Sequence, residues 1–267
     1  MAASADVDQS LRHVKATTRR MADLLRGLPE ATWEQTTNCA PWRFRDLVGH
    51  VIASGESFRE SVERGLAGSV EPPPPGERER HIAELAVLSP DQQIERLEAE
   101  ATATEQLYER LSADQLETIC FHRRGNRPAR WYVQHRLAEL AFHLWDLEHS
   151  LGRSAELDAD VAAFLLPMLL ESNVPRIYQG GQGKEGRFRL VAEGLDSGSW
   201  ILAATPERLE VRRDGGAADV VIRGGPAVLA RLIYGRADLA EEERAGRLQV
   251  EGDRALAGRF NTIFRGP

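Results

Sequence analysis

Glu139 and His143 stand four residues apart in a stretch of helical pattern running from about Arg130 to Leu151. An α-helix turns every 3.6 residues, so positions i and i+4 share a face about 6 Å apart, and both side chains can reach one cation. At about 100° per residue, Leu137, Leu140, Ala141, Phe142, Leu144, Trp145 and Leu147 cover most of the perimeter. The narrow polar stripe left over holds Arg136, Glu139, His143 and Asp146. A helix apolar on both sides of such a stripe is packed on both sides, so the stripe faces a cavity or a thin strip of solvent. His50 has a comparable place at the edge of a stripe formed by Leu47, Val51 and Phe58, beside Ser54 and four residues after Asp46. If the two helices are neighbours, His50 adds a third donor. Two histidines and one carboxylate form a zinc ligand set that keeps a position open for catalysis. Imidazole also suits nickel and iron, so the set does not name the metal. Asp46 or Asp146 could orient an imidazole from behind. Spacing alone is a weak signal, because a Glu–His pair on a helix is more often a solvated face.

Four long helices would position these groups. Leu11, Val14, Met21, Leu24, Leu25 and Leu28 recur at helical spacing over residues 7–28. A second helix is expected from Trp42 to about Gly68, followed by an extended connector at the four prolines 72–75. Ser89-Pro90 reads as an N-cap and first helical position, opening a helix to about Leu111. A loop containing HRRGNRPAR then leads to the helix of Glu139, which Gly152 stops. The expectation is a four-helix bundle. Beyond it the texture changes. Helical pattern from 158 to 177 gives way to short strand-like runs (FRLVAEG, SWILAA, RLEVRR, ADVVIRG and LQVEGD) and two more helical stretches. The whole is read as α+β, with a helical domain at 1–155 and a smaller α+β domain at 156–267.

A chain of 267 residues is long enough for two cores. Its 41 acidic against 34 basic residues argue against nucleic acid and against an anionic membrane surface as partners. Cys39 and Cys120 cannot build a disulfide framework, and two reduced thiols are expected. No apolar stretch reads as a signal peptide or approaches the roughly 20 residues of a membrane span, so a cytoplasmic protein is expected.

The segment CAPWRFRDLVGHV resembles one signature of the DinB-like, mycothiol-dependent maleylpyruvate isomerase family, and RLAELAFHLWDLEHSLG resembles the other. GPAVLARLIYGRADL and LQVEGDRALAGRF resemble that family's sterol-carrier-like second domain. The resemblance implies a DinB-like four-helix bundle followed by a small α+β domain, with the metal held by His50, Glu139 and His143. It also places Arg236 in the active cleft, facing the substrate or the thiol cofactor, and matches Arg78 to a second family arginine. Guanidinium pairs bidentately with carboxylate, which suits both, although a surface arginine is the plainer reading of Arg78. Arg123, Arg124, Arg127 and Arg130 form a basic loop that could attract an acidic substrate. Two departures stand out: Pro41 precedes Trp42 where the family has glycine, and Cys39 lies just ahead of it, read as a buried structural thiol with a redox or extra ligand role as the alternative.

The implied activity is that of a metal- and thiol-dependent S-transferase or cis-trans isomerase. Its cofactors would be zinc, nickel or iron and mycothiol or another small thiol, working through a metal-bound thiolate on a small electrophile bearing a carboxylate. A monomer or homodimer is expected. Two other readings stand beside it: a small-molecule-binding protein without catalysis, since fold does not fix function, and a hydrolase using a metal-bound water.

Overall fold

The computed structural model describes residues 2–194, 198–213 and 215–266. The chain divides into two compact units, Met1–Ala155 and Glu156–Pro267.

The first unit is helical. It comprises α1 (Ala2–Arg26), a 3-10 turn (Glu30–Glu34), α2 (Phe44–Leu66), α3 (Glu77–Ala86), α4 (Pro90–Tyr108) and α5 (Ala113–Leu116). The short strands β1 (Ile119–Cys120) and β2 (Arg127–Pro128) precede the long helix α6 (Ala129–Ser150). Helix α1 packs on α4 and α6, and α2 packs on α3, α4 and α6. Leu25, Leu47, Ile52, Leu97, Leu137 and Leu140 meet in the core.

Local chemistry sets the helix ends. The Ser89 hydroxyl accepts from Gln92 N at 3.3 Å and Gln92 Oε1 accepts from Ser89 N at 2.9 Å, with Pro90 at the first position of α4. After α6, Gly152 takes φ +70°, a conformation open to glycine without penalty. Two elements depart from the sequence pattern. Helix α3 forms where only a connector was expected, because just Leu85 and Ala86 of it are buried and so thin a stripe gives little periodic signal. The basic loop is partly ordered as an antiparallel ladder, with Ile119 opposite Pro128 and Cys120 opposite Arg127.

Arg136 and Glu100 join α6 to α4 inside the bundle, with side chains 1% and 0% exposed. Arg136 Nη2 donates to Glu100 Oε2 at 2.5 Å and Nη1 to the Val51 carbonyl at 2.6 Å, while Thr104 Oγ1 donates to Glu100 Oε1 at 2.7 Å. The pair lies against Gly55 of α2, where a Cβ would come within 2.5 Å of Glu100 Oε2 and 2.6 Å of Arg136 Cζ. Only glycine lets α2 approach this closely.

The second unit opens with α7 (Ala159–Met168), a π-turn (Leu169–Asn173) and α8 (Val174–Ile177). Strands β3 (Gly186–Ala192), β4 (Gly198–Ala204), β5 (Leu209–Arg213) and β6 (Val220–Gly224) follow, then α9 (Pro226–Ile233) and α10 (Leu239–Arg244). The unit ends with β7 (Leu248–Gly252), α11 (Arg254–Ala257) and α12 (Phe260–Ile263). Strand order in its sheet is β5-β4-β3-β6-β7, with β3 and β6 parallel and the other pairs antiparallel. Phe188, Leu190, Trp200, Leu202, Val220, Ile222, Leu248 and Val250 alternate onto the buried side, as a half-covered sheet requires. Phe188, Phe260 and Phe264 pack ring against ring, which ties α12 to the sheet. Among the described residues no helix is long and apolar enough to cross a membrane.

Candidate metal centre

Helices α2 and α6 are neighbours in the bundle, and their contact decides whether His50 meets Glu139 and His143. It brings them together. One nitrogen from each histidine and one oxygen of Glu139 all lie within 4.8 Å of one another. His50 Nε2 is 3.3 Å from Glu139 Oε2, and His143 Nε2 is 3.7 Å from the same oxygen. The imidazoles stand edge to face, 5.0 Å apart at 88°. Trp42 covers His50 at 4.6 Å between ring centroids. Both histidines are nearly buried, and the Glu139 side chain is 24% exposed, so the group has a route to solvent.

The surroundings set the charges. Burial opposes ionisation of Glu139, but the hydrogen bond from His50 and the fields of His143 and His135 outweigh it and hold the carboxyl well below its ordinary value. Burial is also the main influence on His50, and it lowers the imidazole against the pull of Glu139. A carboxylate beside two imidazoles, one of them held neutral, is a donor set matched to a divalent cation. On donor chemistry and spacing, the residues fit the metal that the sequence resemblance implies.

His143 is held from behind. Its Nδ1 lies 2.9 Å from Asp146 Oδ2, and Asp146 is 1% exposed. Asn38 Nδ2 donates to Asp146 Oδ1 at 3.0 Å, and the Ser150 hydroxyl donates to Asn38 Oδ1 at 3.1 Å. The neutral ring therefore carries its proton on Nδ1 and turns the Nε2 lone pair toward Glu139 and His50. Asp46 does not share this task. It accepts from Arg43 Nε at 2.8 Å and from Arg43 N at 3.0 Å, closing the start of α2. Arg136 leaves the polar stripe altogether, because Glu100 and Val51 hold it inside the bundle. Cys39 is half-buried rather than buried, and its sulfur lies beside His143 and Asp146.

Arg78, on α3, reaches the group. Its Nη2 lies 3.2 Å from His50 Nδ1 and 3.4 Å from Ser54 Oγ. Burial, then Arg123, depresses its pKa. His135 stands one turn before Glu139 on the same helix. It stacks on Trp131 at 4.4 Å and places Nε2 4.0 Å from Glu139 Oε1. Burial pushes it down to about 4. His122, in the β1–β2 loop, packs 5.7 Å from it, ring to ring. The loop's Arg123 and Arg124 bring further positive charge to His135.

Arg236 belongs to the second unit, in the turn after α9. Its N donates to the Arg231 carbonyl at 2.8 Å and its Nη1 to the Tyr234 carbonyl at 2.8 Å. The Tyr234 hydroxyl in turn accepts from Asn173 Nδ2 at 2.9 Å. A small cavity in the same unit is lined by Val174, Ile177, Ile233, Ile263 and Phe264.

Fold and site together define a class: a helical bundle carrying a His/Glu/His group, followed by an α+β unit. Residues 14–148 match the model of the mycothiol maleylpyruvate isomerase N-terminal domain, and residues 179–265 match that of the SCP-2 sterol transfer family. The chain belongs to the mycothiol maleylpyruvate isomerase N-terminal domain family. Among solved structures it is similar to a mycothiol-dependent maleylpyruvate isomerase, at 20% identity and TM-score 0.66, over 86% of this chain and 90% of that one. A mutant of that isomerase matches at 20% identity and TM-score 0.65, with the same coverage. YfiT from Bacillus subtilis, described as a probable metal-dependent hydrolase, matches at 15% identity and TM-score 0.46, over 55% of this chain and 89% of that one. No curated protein matches the chain significantly.

Proposed function

We propose that this protein is a metal- and thiol-dependent enzyme acting on a small electrophile that bears a carboxylate, as an S-transferase or a cis-trans isomerase. The observation that carries this reading is the convergence of His50, Glu139 and His143, in a chain of this family, beside the cationic Arg78. These three residues would hold a divalent cation, with zinc the first candidate. When bound, such a cation stabilises a thiolate at neutral pH.

The chain's own groups supply the rest. Glu139 enters as a carboxylate, and Asp146 fixes the tautomer of His143 so that its Nε2 pair faces inward. Arg78 offers its guanidinium to a substrate carboxylate, in competition with His50 Nδ1. Arg236 is proposed as a second carboxylate ligand, for the substrate or for the thiol. Trp42 and Trp131 shield the polar groups from bulk water, which strengthens each charge interaction among them. A thiol activated there would supply a nucleophile for an electrophilic carbon of a double bond: released again it would leave the isomerised substrate, and retained with a proton added it would leave the thioether.

The test is turnover of maleylpyruvate and of simpler cis-enoic acids with and without mycothiol, alongside elemental analysis of the purified chain. The proposal expects one cation per chain and a rate that depends on the thiol. Equal rates with and without thiol would overturn the thiol mechanism. A metal content unchanged by His143→Ala would overturn the site.

A further inference from the structure

We propose that Cys39, His143 and Asp146 form a second cation site, selective for thiophilic ions, whose occupation withdraws His143 from the first. The Cys39 sulfur, a ring nitrogen of His143 and a carboxylate oxygen of Asp146 all lie within 4.8 Å of one another. Only His143 is shared with the His50–Glu139–His143 group. The geometry is built by an anchored loop. Asn38 N donates to Ser150 Oγ at 2.9 Å and Asn38 Nδ2 to Asp146 Oδ1 at 3.0 Å. Cys39 N donates to Thr37 Oγ1 at 3.2 Å, and Trp42 N donates to the Cys39 carbonyl at 3.2 Å. The backbone before Cys39 is thus fastened to α6 and the loop around it is closed by its own hydrogen bonds, with the sulfur already within reach of His143 and Asp146. The thiol's contact with Asn38 Oδ1 at 3.8 Å is a weak hydrogen bond. Asn38 donates to Asp146 Oδ1, and Oδ2, which lies 2.9 Å from His143 Nδ1, is the proposed ligand atom.

The donor set decides what binds. One thiolate, one imidazole and one carboxylate favour soft or borderline ions, whereas the first group has no sulfur. The proton balance makes the two sites exclusive. On binding, the Cys39 thiol loses its proton to solvent and His143 offers its Nδ1 pair. The ring proton that Nδ1 donated to Asp146 moves to Nε2. A ring protonated on Nε2 cannot donate a pair toward Glu139 and His50. A cadmium-like ion at Cys39 therefore removes one of three ligands from the first site and releases a cation held there.

Cadmium titration of the full-length protein tests this, followed by thiolate-to-cadmium charge-transfer absorption in the ultraviolet, on apoprotein and on protein preloaded with cobalt. The proposal expects the band to saturate at one equivalent and cobalt to be released as it grows. In Cys39→Ser the band should vanish. In His50→Ala, which lacks only a first-group ligand, it should persist. Circular dichroism verifies that each variant is folded, and Cys39→Ala serves if the serine variant is not. No band in the wild type, or a band undiminished in Cys39→Ser, overturns the proposal. If the wild type takes up no cobalt but still gives a Cys39-dependent band, the first-site reading fails and the thiophilic site stands.

Discussion

His143 Nδ1 and Asp146 Oδ2 lie 2.9 Å apart, three residues apart on one helix, in a place that solvent scarcely reaches. This contact turns a common Glu–His pair into one with a defined tautomer. Replacing Asp146 by Ala frees the ring to rotate and to exchange tautomers. Cation affinity at the His50–Glu139–His143 group should fall by about 10–100-fold, as partners behind metal-bound histidines generally show. Zinc titration against a competing chelator measures this, and affinity unchanged within threefold would contradict it.

Arg78 brings a positive charge to 3.2 Å from a proposed metal ligand, so it opposes a cation while favouring an anionic substrate. Arg78→Ala should tighten cation binding by about fivefold, since the guanidinium stands roughly one imidazole ring, about 6 Å, from a cation on Nε2, where a partly screened like charge costs about 1 kcal/mol. The same variant should raise KM for a carboxylate-bearing substrate more than it lowers kcat. Opposite movements of the two affinities separate this role from simple loss of α3 packing.

Glu100 and Arg136 cannot lose each other cheaply. Glu100→Ala leaves a buried guanidinium without its carboxylate, at a cost of about 3–5 kcal/mol. Gly55→Ala places a methyl against the same pair and should cost about 1–3 kcal/mol. Urea unfolding monitored by tryptophan fluorescence reads both.

Acid sensitivity has a located source. Burial, then the fields of His135 and of the neighbouring arginines, lowers His122 to about 4 from an ordinary value of 6.5. The fold thus favours the neutral ring, and the unfolded chain binds the extra proton first. This contribution is fully present above pH 6.5 and is lost as pH falls from 6.5 toward 4. His122→Phe should flatten the fall of the urea midpoint over that window.

The two thiols should differ in reactivity. Cys120 is fully buried against Gly65 of α2, and burial pushes its thiol up to about 11. Cys39 is half-buried. Iodoacetamide at pH 8 should alkylate Cys39 in the folded protein and Cys120 only after denaturation, as peptide mass spectrometry would show.

Much of this architecture is carried by local pattern. Periodicity places the long helices because each buries a wide apolar stripe, and Ser89-Pro90 and Gly152 mark ends through hydrogen bonds and dihedral preferences that act within a few residues. Strand alternation reveals the second sheet's buried face for the same reason. Spacing on α6 puts Glu139 and His143 on one face, and it offers His135 as well. Contacts between distant segments lie beyond that reach. No local rule tells Arg136, on the same stripe, that it will turn inward to Glu100, although Asp46 is taken up by Arg43 within one turn of α2. Helix α3 buries too little to announce itself, yet it delivers Arg78 to His50. Cys39 and Asp146 are 107 positions apart and meet because the Asn38 loop is fastened to α6. By itself the sequence determined which residues could share a helical face, because that geometry repeats every turn. The packing of α2 against α6 decided that His50 would join them, because only tertiary structure brings donors on separate helices within reach of one ion.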